Sequence, residues 1–401
     1  MKILWITPSI PYPVEDGAKK ATEALVQTLS KQGVSLHLVT SDPREINTAE
    51  QSEIIKYLGL TSLSYVRGKK RPFLRAAVQP LTPLTMLRFT TQPFRKLLES
   101  KRQEGGWDAV VYDGLHPAAH AIHHGSYRSF WGQVPTIYRA HNVESEIWRG
   151  RSHQAVSFVE KIIFTFQTLL VRKFERSVLS SVAHVATVSD SDAALLQAAK
   201  TQTKVSTVPI GFSFHSSVLN YSQKNEQLLF VGRIDWKPNS EGLVWFLRHV
   251  WPEVKKHRPQ ISMVIVGSGD ATSLASDLNQ EGVVFAGRVD DVTPYYAESQ
   301  LSLVPIFYGS GTRVKVIESV ANGCPVLSTP LGVEGLEMEK GSDFLCESDV
   351  QGWVEAIVSF DDQKGKELAV NAYRSLEKKW GCEESSRRFV DILKSENGTA
   401  Q

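Results

Sequence analysis

The sequence predicts an α/β protein with two domains, each built on an open, mostly parallel sheet. At 401 residues the chain is too long for one ordinary core, because single domains typically span roughly 100–200 residues. Short apolar runs alternate with helical segments in both halves, and this layout restarts near residue 227. Glycines follow many of the predicted strands, at the sheet edge where open parallel sheets bind ligands.

The first half begins with a βαβ unit. KILWI predicts a strand, AKKATEALVQTLSKQG an amphipathic helix and VSLHLVT a second strand. ATVSDSDAALL predicts a strand followed by a helix with Ser189 or Ser191 as its N-cap. Further strands are predicted at 109–112, 136–138, 182–188 and 205–208. These elements define a domain at 1–212, and the polar, turn-rich stretch 213–226 is the predicted linker.

The second half repeats the α/β pattern. LLFVG, MVIVG, VVFAG, LSLVP and PVLST predict strands, and helical segments lie between them, one of them from about Ser240. This pattern defines a domain at 227–380, followed by a helix and tail at 381–401.

Composition excludes several classes of protein. A net charge of +2 argues against a general nucleic-acid binder, which needs a marked basic excess. The cysteines lack C-x-x-C spacing, so neither a zinc site nor a disulfide scaffold is indicated. The first apolar run is too short for a signal peptide, and no run reaches the ~18 residues of a membrane span. We expect a cytoplasmic protein, with or without peripheral attachment to a membrane.

Two motifs of the second half predict a phosphate-binding site. YGSGTRVKVIE lies between a strand and a helix, and the free N–H groups of a helix start can cradle a phosphate. Glu318, on the second turn, can accept two hydroxyl hydrogen bonds, as from a ribose. In GRIDWKPN, Arg233 and Lys237 occupy a loop before a helix that Asn239 can cap, and such cations stabilise a diphosphate without a metal. The alternatives are an ordinary glycine turn and two solvated cations.

The first half places polar residues at strand ends. HNVE follows one strand and VYDGLHP another, and such groups can orient a ligand hydroxyl or transfer a proton. A structural or solvated role for each histidine is the alternative. The candidates in this half are Gly17, Asp113, His116, His141, Asn142 and Glu144.

These motifs together resemble GT-B glycosyltransferases of sequence family 4. GRIDWKPN, IVGSGD and GSGTRVKVIESVANGCPVLSTPLGVEGL resemble the nucleotide-binding half, and TPSIPYPVEDGAKKA, HNVE and FERSVLSSVAHVATVSDSD resemble segments of the acceptor-binding half. The resemblance covers nearly the whole chain and is weakest at 73–105. It implies two Rossmann-like domains facing across a cleft, with the C-terminal helix crossing back to the N-terminal domain. It also implies retaining transfer of a hexosyl group, without metal or cofactor.

The resemblance implies a role for each candidate residue. Arg233 and Lys237 match the pair that stabilises the leaving diphosphate, and Glu318 matches the acid that binds the donor ribose. His141 is similar to a histidine near the transferred sugar, and Gly17 to a glycine near the diphosphate. Gly309, Ser310, Gly311 and Thr312 match the loop whose amides approach the donor sugar and phosphates, and Gly232 is a further donor-binding candidate. Many members have a glutamate where this chain has Ser310, so another group must contact the sugar there.

The implied substrates are a UDP- or GDP-linked sugar and a glycan, a lipid-linked or protein acceptor, or another hydroxyl. Two alternatives stay open: a sugar-nucleotide epimerase of the same fold, and a catalytically inactive relative that binds a partner. The segment 67–102 is strongly basic, with Glu99 as its one acid, and predicts contact with anionic lipid on the inner face of the plasma membrane. A basic wall for an acidic soluble acceptor and a solvated loop are the alternatives. Its interleaved apolar residues are Phe73, Leu74, Leu84, Leu87, Phe89, Phe94 and Leu97.

Overall fold

The structure, a computed structural model, forms two compact units. Unit 1 comprises Met1–Gly211 with Cys382–Gln401, and unit 2 comprises Phe212–Gly381. The predicted linker lies mostly outside the described residues, which are 1–14, 17–68, 81–119, 130–154, 157–198, 202–214, 225–270, 272–308 and 313–398.

Unit 1 contains a seven-stranded sheet in the order β3-β2-β1-β4-β5-β6-β7, with every neighbouring pair parallel. Apolar side chains cover both of its faces, as expected for parallel strands connected by helices. The strands are β1 Lys2–Thr7, β2 Ser35–Asp42, β3 Ser62–Arg67, β4 Ala109–Asp113, β5 Thr136–Ala140, β6 His184–Thr187 and β7 Lys204–Thr207. The helices are α1 Gly17–Lys31, α2 Thr48–Leu58, α3 Gln92–Glu104, α4 Glu144–Gln154, α5 Phe158–Leu179 and α6 Asp190–Gln197.

Unit 2 contains a six-stranded parallel sheet in the order β10-β9-β8-β11-β12-β13. The strands are β8 Asn225–Val231, β9 Ser262–Val266, β10 Val283–Gly287, β11 Ser299–Val304, β12 Val326–Ser328 and β13 Leu345–Cys346. The helices are α7 Lys237–Trp245, α8 Trp251–His257, α9 Ala275–Leu278, α10 Thr293–Glu298, α11 Val314–Ala321, α12 Val350–Val358 and α13 Asp362–Trp380. The last helix, α14 Cys382–Gly398, follows unit 2 in sequence.

Helix α14 belongs to unit 1. Phe389 and Leu393 are fully buried in the same apolar cluster as Trp5, and the Phe389 ring centroid lies 5.4 Å from that of Trp5. The Ser385 hydroxyl donates a hydrogen bond to the carbonyl of Pro209, at 2.6 Å. The core of unit 1 is therefore built from two parts of the chain, one before unit 2 in the sequence and one after it.

The two α/β units with parallel sheets that the sequence predicts are confirmed. Ser189 is the N-cap of α6, accepting a hydrogen bond from the backbone N–H of Asp192. The sequence analysis missed β3 and β13. The prediction that Asn239 caps the next helix was wrong, because α7 begins two residues earlier, at Lys237.

The basic segment 67–102 differs from its prediction in one respect. Leu87, Phe89 and Phe94 are fully buried in the core of unit 1, so these apolar side chains face the protein interior. Residues 69–80 lie outside the described part of the chain. Among the residues the structure describes, no helix has the length and apolarity needed to cross a membrane.

Candidate functional site

A buried ion network occupies the ends of β4 and β5 in unit 1. Asp113, the last residue of β4, is fully buried, and its Oδ1 accepts a hydrogen bond from Nη1 of Arg139 at 2.8 Å. Nε2 of His141 lies 2.7 Å from the same oxygen. The other carboxylate oxygen accepts hydrogen bonds from Thr22 at 2.6 Å and from the indole of Trp5 at 3.1 Å. The carboxylate therefore fixes both the histidine ring and the guanidinium.

This network determines the ionisation of Asp113. Burial alone would raise the pKa of the carboxyl, but the charges of His141 and Arg139 and the hydrogen bonds hold the pKa well below its usual value. Asp113 is thus a carboxylate at neutral pH. Because its side chain is enclosed by protein, it orients its neighbours and does not contact a ligand directly.

A cavity of about 270 Å³ opens beside this network. Four of the predicted first-half residues line it: His116, His141, Asn142 and Glu144. Gly17 is the first residue of α1, and its neighbours Ala18 and Lys19 also line the cavity. The remaining lining residues are Thr7, Pro8, Ser9, Pro11, Thr22, Gly114, Leu115 and Tyr138. The structure therefore brings these strand-end residues together at one cavity in unit 1.

Glu144 gives this cavity a group that titrates near neutrality. Burial and the charge of Glu175 raise its pKa to about 7. Glu175 is itself buried, and it accepts hydrogen bonds from the backbone N–H of Glu144 at 2.9 Å and from the hydroxyl of Ser145 at 2.6 Å. Glu175 thereby holds the first turn of α4 in place behind the cavity.

In unit 2, backbone atoms meet closely where β8 and β9 end. A Cβ on Gly267 would lie 1.9 Å from the carbonyl oxygen of Gly232, which no side chain can tolerate. A Cβ on Gly232 would lie 2.7 Å from the side-chain amide of Asn239. The backbone N–H of Gly232 donates to the carbonyl of Val266 at 2.9 Å. Glycine is required at Gly267 because the neighbouring backbone leaves no room for a side chain, whereas a side chain on Gly232 would displace the amide of Asn239.

Asn239 connects the start of α7 to the start of α11. It is buried, and its amide donates a hydrogen bond to the carbonyl of Arg233 at 2.8 Å. Its side-chain oxygen accepts a hydrogen bond from Nζ of Lys315 at 2.6 Å. Instead of capping a helix, Asn239 therefore fixes the Arg233–Trp236 loop to the first turn of α11.

Lys315 is the most perturbed cation of this region. Its Nζ lies 4.8 Å from the centroid of the Phe230 ring. Burial, with a smaller contribution from the charge of Arg313, lowers its pKa to about 7.

The two predicted phosphate-binding cations are both exposed to solvent. Arg233 is exposed and forms two hydrogen bonds to the carboxylate of Asp235, at 3.0 and 2.7 Å. Lys237 is the first residue of α7, and its side chain is exposed to solvent. Both cations thus lie beside a helix start, where the partial positive charge of the backbone adds to their own.

Glu318 lies on the second turn of α11 and is partly exposed. The hydroxyl of Tyr296 donates to its Oε2 at 3.5 Å, and burial, followed by the charge of Glu318, raises the pKa of that phenol well above its ordinary value. The loop containing Gly309, Ser310, Gly311 and Thr312 lies outside the described residues, so its predicted role stays a prediction.

Sequence reasoning missed the residues that hold the candidates in place. Arg139 lies two residues before His141, a spacing that puts both on one face of an extended chain, and this was the available signal. Lys315 lies opposite the apolar stripe of α11, where a lysine is ordinary, so the sequence did not mark it. The sequence identifies a partner for neither residue, because Asn239 and Asp113 are distant in sequence.

Comparisons with known proteins agree with this architecture. Residues 16–211 match the family described as "Glycosyl transferase 4-like domain", and residues 225–361 match "Glycosyl transferases group 1". An "Uncharacterized 44.6 kDa protein in cps region" of Klebsiella pneumoniae is 21% identical over 404 residues, which cover 98% of this chain and 99% of that protein.

Solved structures of the same fold extend over the whole chain. Anabaena Alr3699/HepE in complex with UDP has a TM-score of 0.65 at 15% identity, with 98% of this chain and 100% of that chain covered. Sucrose-phosphate synthase from Thermosynechococcus elongatus has a TM-score of 0.68 at 15% identity, with 98% and 99% covered.

The fold and the strand-end glycines define a protein with two Rossmann-like α/β domains. With the two family matches, which together cover most of the chain, they assign it to the glycosyltransferases. The protein is a glycosyltransferase of the GT-B type, and hence a transferase enzyme.

Proposed function

We propose that this enzyme is a retaining, metal-independent hexosyltransferase that uses a UDP- or GDP-linked sugar as donor. The contact of Lys315 with Asn239 carries the proposal, because it joins the two motifs predicted to bind the donor diphosphate. Anabaena Alr3699/HepE has been crystallised with UDP and with UDP-glucose, which supports a uridine nucleotide in particular.

In the proposed reaction, the acceptor hydroxyl attacks on the face that the leaving diphosphate vacates, and the β-phosphate accepts the acceptor's proton. Arg233, Lys237 and the N–H groups at the helix starts stabilise the charge that develops on the diphosphate. Each such contact contributes on the order of 2–4 kcal/mol to lowering the barrier. Glu318 accepts hydrogen bonds from the ribose hydroxyls, while the Gly309–Thr312 loop contacts the sugar and phosphates.

Replacing Lys237 tests this assignment. Because Lys237 is exposed, Lys237→Ala should leave the fold intact. Loss of one charge contact to the transition state lowers turnover by about a hundredfold. Lys366→Ala removes another exposed lysine, on α13, and serves as the matched control. Turnover equal to that of the control would refute the proposed role of Lys237.

The donor and the stereochemistry need separate measurements. In a panel of UDP- and GDP-sugars, the true donor should raise the melting temperature of the protein, because a ligand that binds the folded state stabilises it. NMR of the product should show the anomeric configuration of the donor, and a chelator should leave the rate unchanged. If no UDP- or GDP-sugar raised the melting temperature, donor binding would be contradicted. If free nucleotide were released equally fast without an acceptor, the epimerase would be favoured.

For the acceptor, we propose a hydroxyl of a glycan, a lipid-linked sugar or a protein, bound beside the cavity of unit 1. His141 and Glu144 line this cavity, and the raised pKa of Glu144 lets it donate or accept a proton near neutrality. We also propose that the protein is cytoplasmic and associates with the inner face of the plasma membrane, with the basic segment 67–102 supplying charge.

A further inference from the structure

Helix α5 has an apolar face that the rest of the protein leaves exposed. Phe158 is 77% exposed, Val159 63% and Leu169 59%, although such side chains are usually buried. Ile162, Ile163 and Phe166 are also exposed, and together these six residues are called the α5 face. Their spacing puts Phe158, Ile162, Phe166 and Leu169 in one row along the helix.

In the first half of α5 one apolar side chain, Phe164, packs against the core of unit 1. Gln167 and Thr168, both polar, are buried, whereas the neighbouring Phe166 and Leu169 are exposed. In the second half of the helix Val171, Phe174 and Val178 are buried. The exposure is therefore confined to one contiguous patch, and such patches mark interaction surfaces.

The charges around the α5 face favour an anionic partner. Lys173 continues the exposed row toward the C-terminus, and Arg176 follows one turn later. Among the described side chains of α4 and α5, the other exposed cations are Arg151, Lys161 and Arg149, of which Arg149 is paired with the partly exposed Glu146, whereas Glu160 is the one fully exposed acid. Apolar side chains bordered by cations are typical of helices that lie in the headgroup region of anionic membranes.

The basic segment 67–102 contacts α5 on the buried side of the helix. The backbone N–H of Leu84 donates a hydrogen bond to the side chain of Gln167 at 3.0 Å. Leu81, three residues earlier, is 75% exposed. The basic segment thus packs against α5 through Leu84, and its own residues Leu87 and Phe89 are buried.

We propose that the α5 face inserts into the headgroup region of an anionic bilayer and is the apolar part of the membrane-binding surface. The inference rests on the peripheral association proposed above and is independent of the transfer reaction. The bilayer receives the six apolar side chains, while the exposed cations of α4 and α5 contact lipid phosphates. A second copy of this chain would be a less suitable occupant, because it would bring the same cations together.

Sedimentation with vesicles of phosphatidylcholine, with and without phosphatidylglycerol, tests the proposal on the full chain. The triple variant Phe158→Ser, Ile162→Ser and Phe166→Ser should bind anionic vesicles roughly a hundredfold more weakly than wild type. The matched control, Leu195→Ser with Val284→Ser, removes exposed apolar residues from other surfaces and should bind like wild type. Lys161→Glu with Lys173→Glu should weaken binding and reduce its dependence on salt.

Three outcomes would overturn the proposal: no binding of wild type to anionic vesicles at low salt, equal binding by the triple variant, or a wild-type dimer that the triple variant abolishes. The variants should melt at the wild-type temperature, because the replaced side chains are exposed. They should also keep the thermal shift with the nucleotide sugar. Absence of vesicle binding by wild type would therefore contradict only the membrane role of the α5 face. Absence of a thermal shift with any nucleotide sugar in wild type would contradict the proposed function.

Discussion

Replacing Asp113 by asparagine tests the buried ion network most directly. The carboxylate accepts hydrogen bonds from Arg139, Thr22 and Trp5, and the Arg139 guanidinium and the Trp5 indole are buried. Asp113→Asn keeps the shape of the side chain but leaves the buried guanidinium of Arg139 without its counter-charge. Breaking a buried pair in this way costs about 3–5 kcal/mol.

The cost is large relative to the stability of a domain, which is about 5–15 kcal/mol in total. If the free energy of unfolding falls by about 3 kcal/mol per molar urea, the urea midpoint of unit 1 should fall by roughly 1–2 M. Hydrogen–deuterium exchange of peptides from β4 and β5, recorded across a urea series, assigns the change to unit 1. Asp391→Asn is the matched control, because its ion pair with Arg387 lies on the exposed surface.

The loss of stability in Asp113→Asn should become smaller as the pH falls. Since the folded protein lowers the pKa of Asp113, its contribution is fully present above the unfolded value of about 3.8 and is lost as the pH falls below it. Wild type and Asp113→Asn should therefore converge in acid. The reasoning is refuted if Asp113→Asn shifts the midpoint no more than Asp391→Asn does at neutral pH.

Two further pH effects follow from buried groups. Folding lowers the pKa of Lys315 to about 7, so the unfolded chain holds an extra proton between about pH 7 and 10.5 and the stability of unit 2 should rise over that range. Lys315→Met should remove this rise. The same rise of the urea midpoint with pH in the variant would contradict the prediction. Folding raises the pKa of Glu144 to about 7, so unit 1 should lose stability as the pH rises from about 4.5 to about 7. Glu144→Gln should flatten this decline of the urea midpoint. A decline as steep as in wild type would mean that another group causes it.

Alternating apolar runs and glycines made both sheets predictable, because they reflect local chain geometry. The strand β3 was missed because SLSYVR contains three polar residues, and only its pairing with β2 identifies it. Short β13 has too few residues to form a pattern. Leu87 and Phe89 were interpreted as interfacial because local composition does not show which side chains reach the core.

The structure brings together candidates that the sequence places at strand ends. His141 and Glu144 line one cavity, as expected for residues that follow strands of one sheet. Asn239 was mistaken for a cap, because its partner Lys315 lies far along the chain and meets it only in the folded unit. The partners of a polar residue depend on tertiary contacts, which a single sequence does not contain.

The placement of α14 has a consequence for the order in which the protein forms during synthesis. Unit 2 lies between the two parts of unit 1, so its whole sequence leaves the ribosome before α14 does. Until then, the apolar surface around Trp5 lacks Phe389 and Leu393. The domain synthesised first is thus the last to be completed, and a nascent chain stopped within unit 2 exposes an apolar surface that chaperones and proteases recognise.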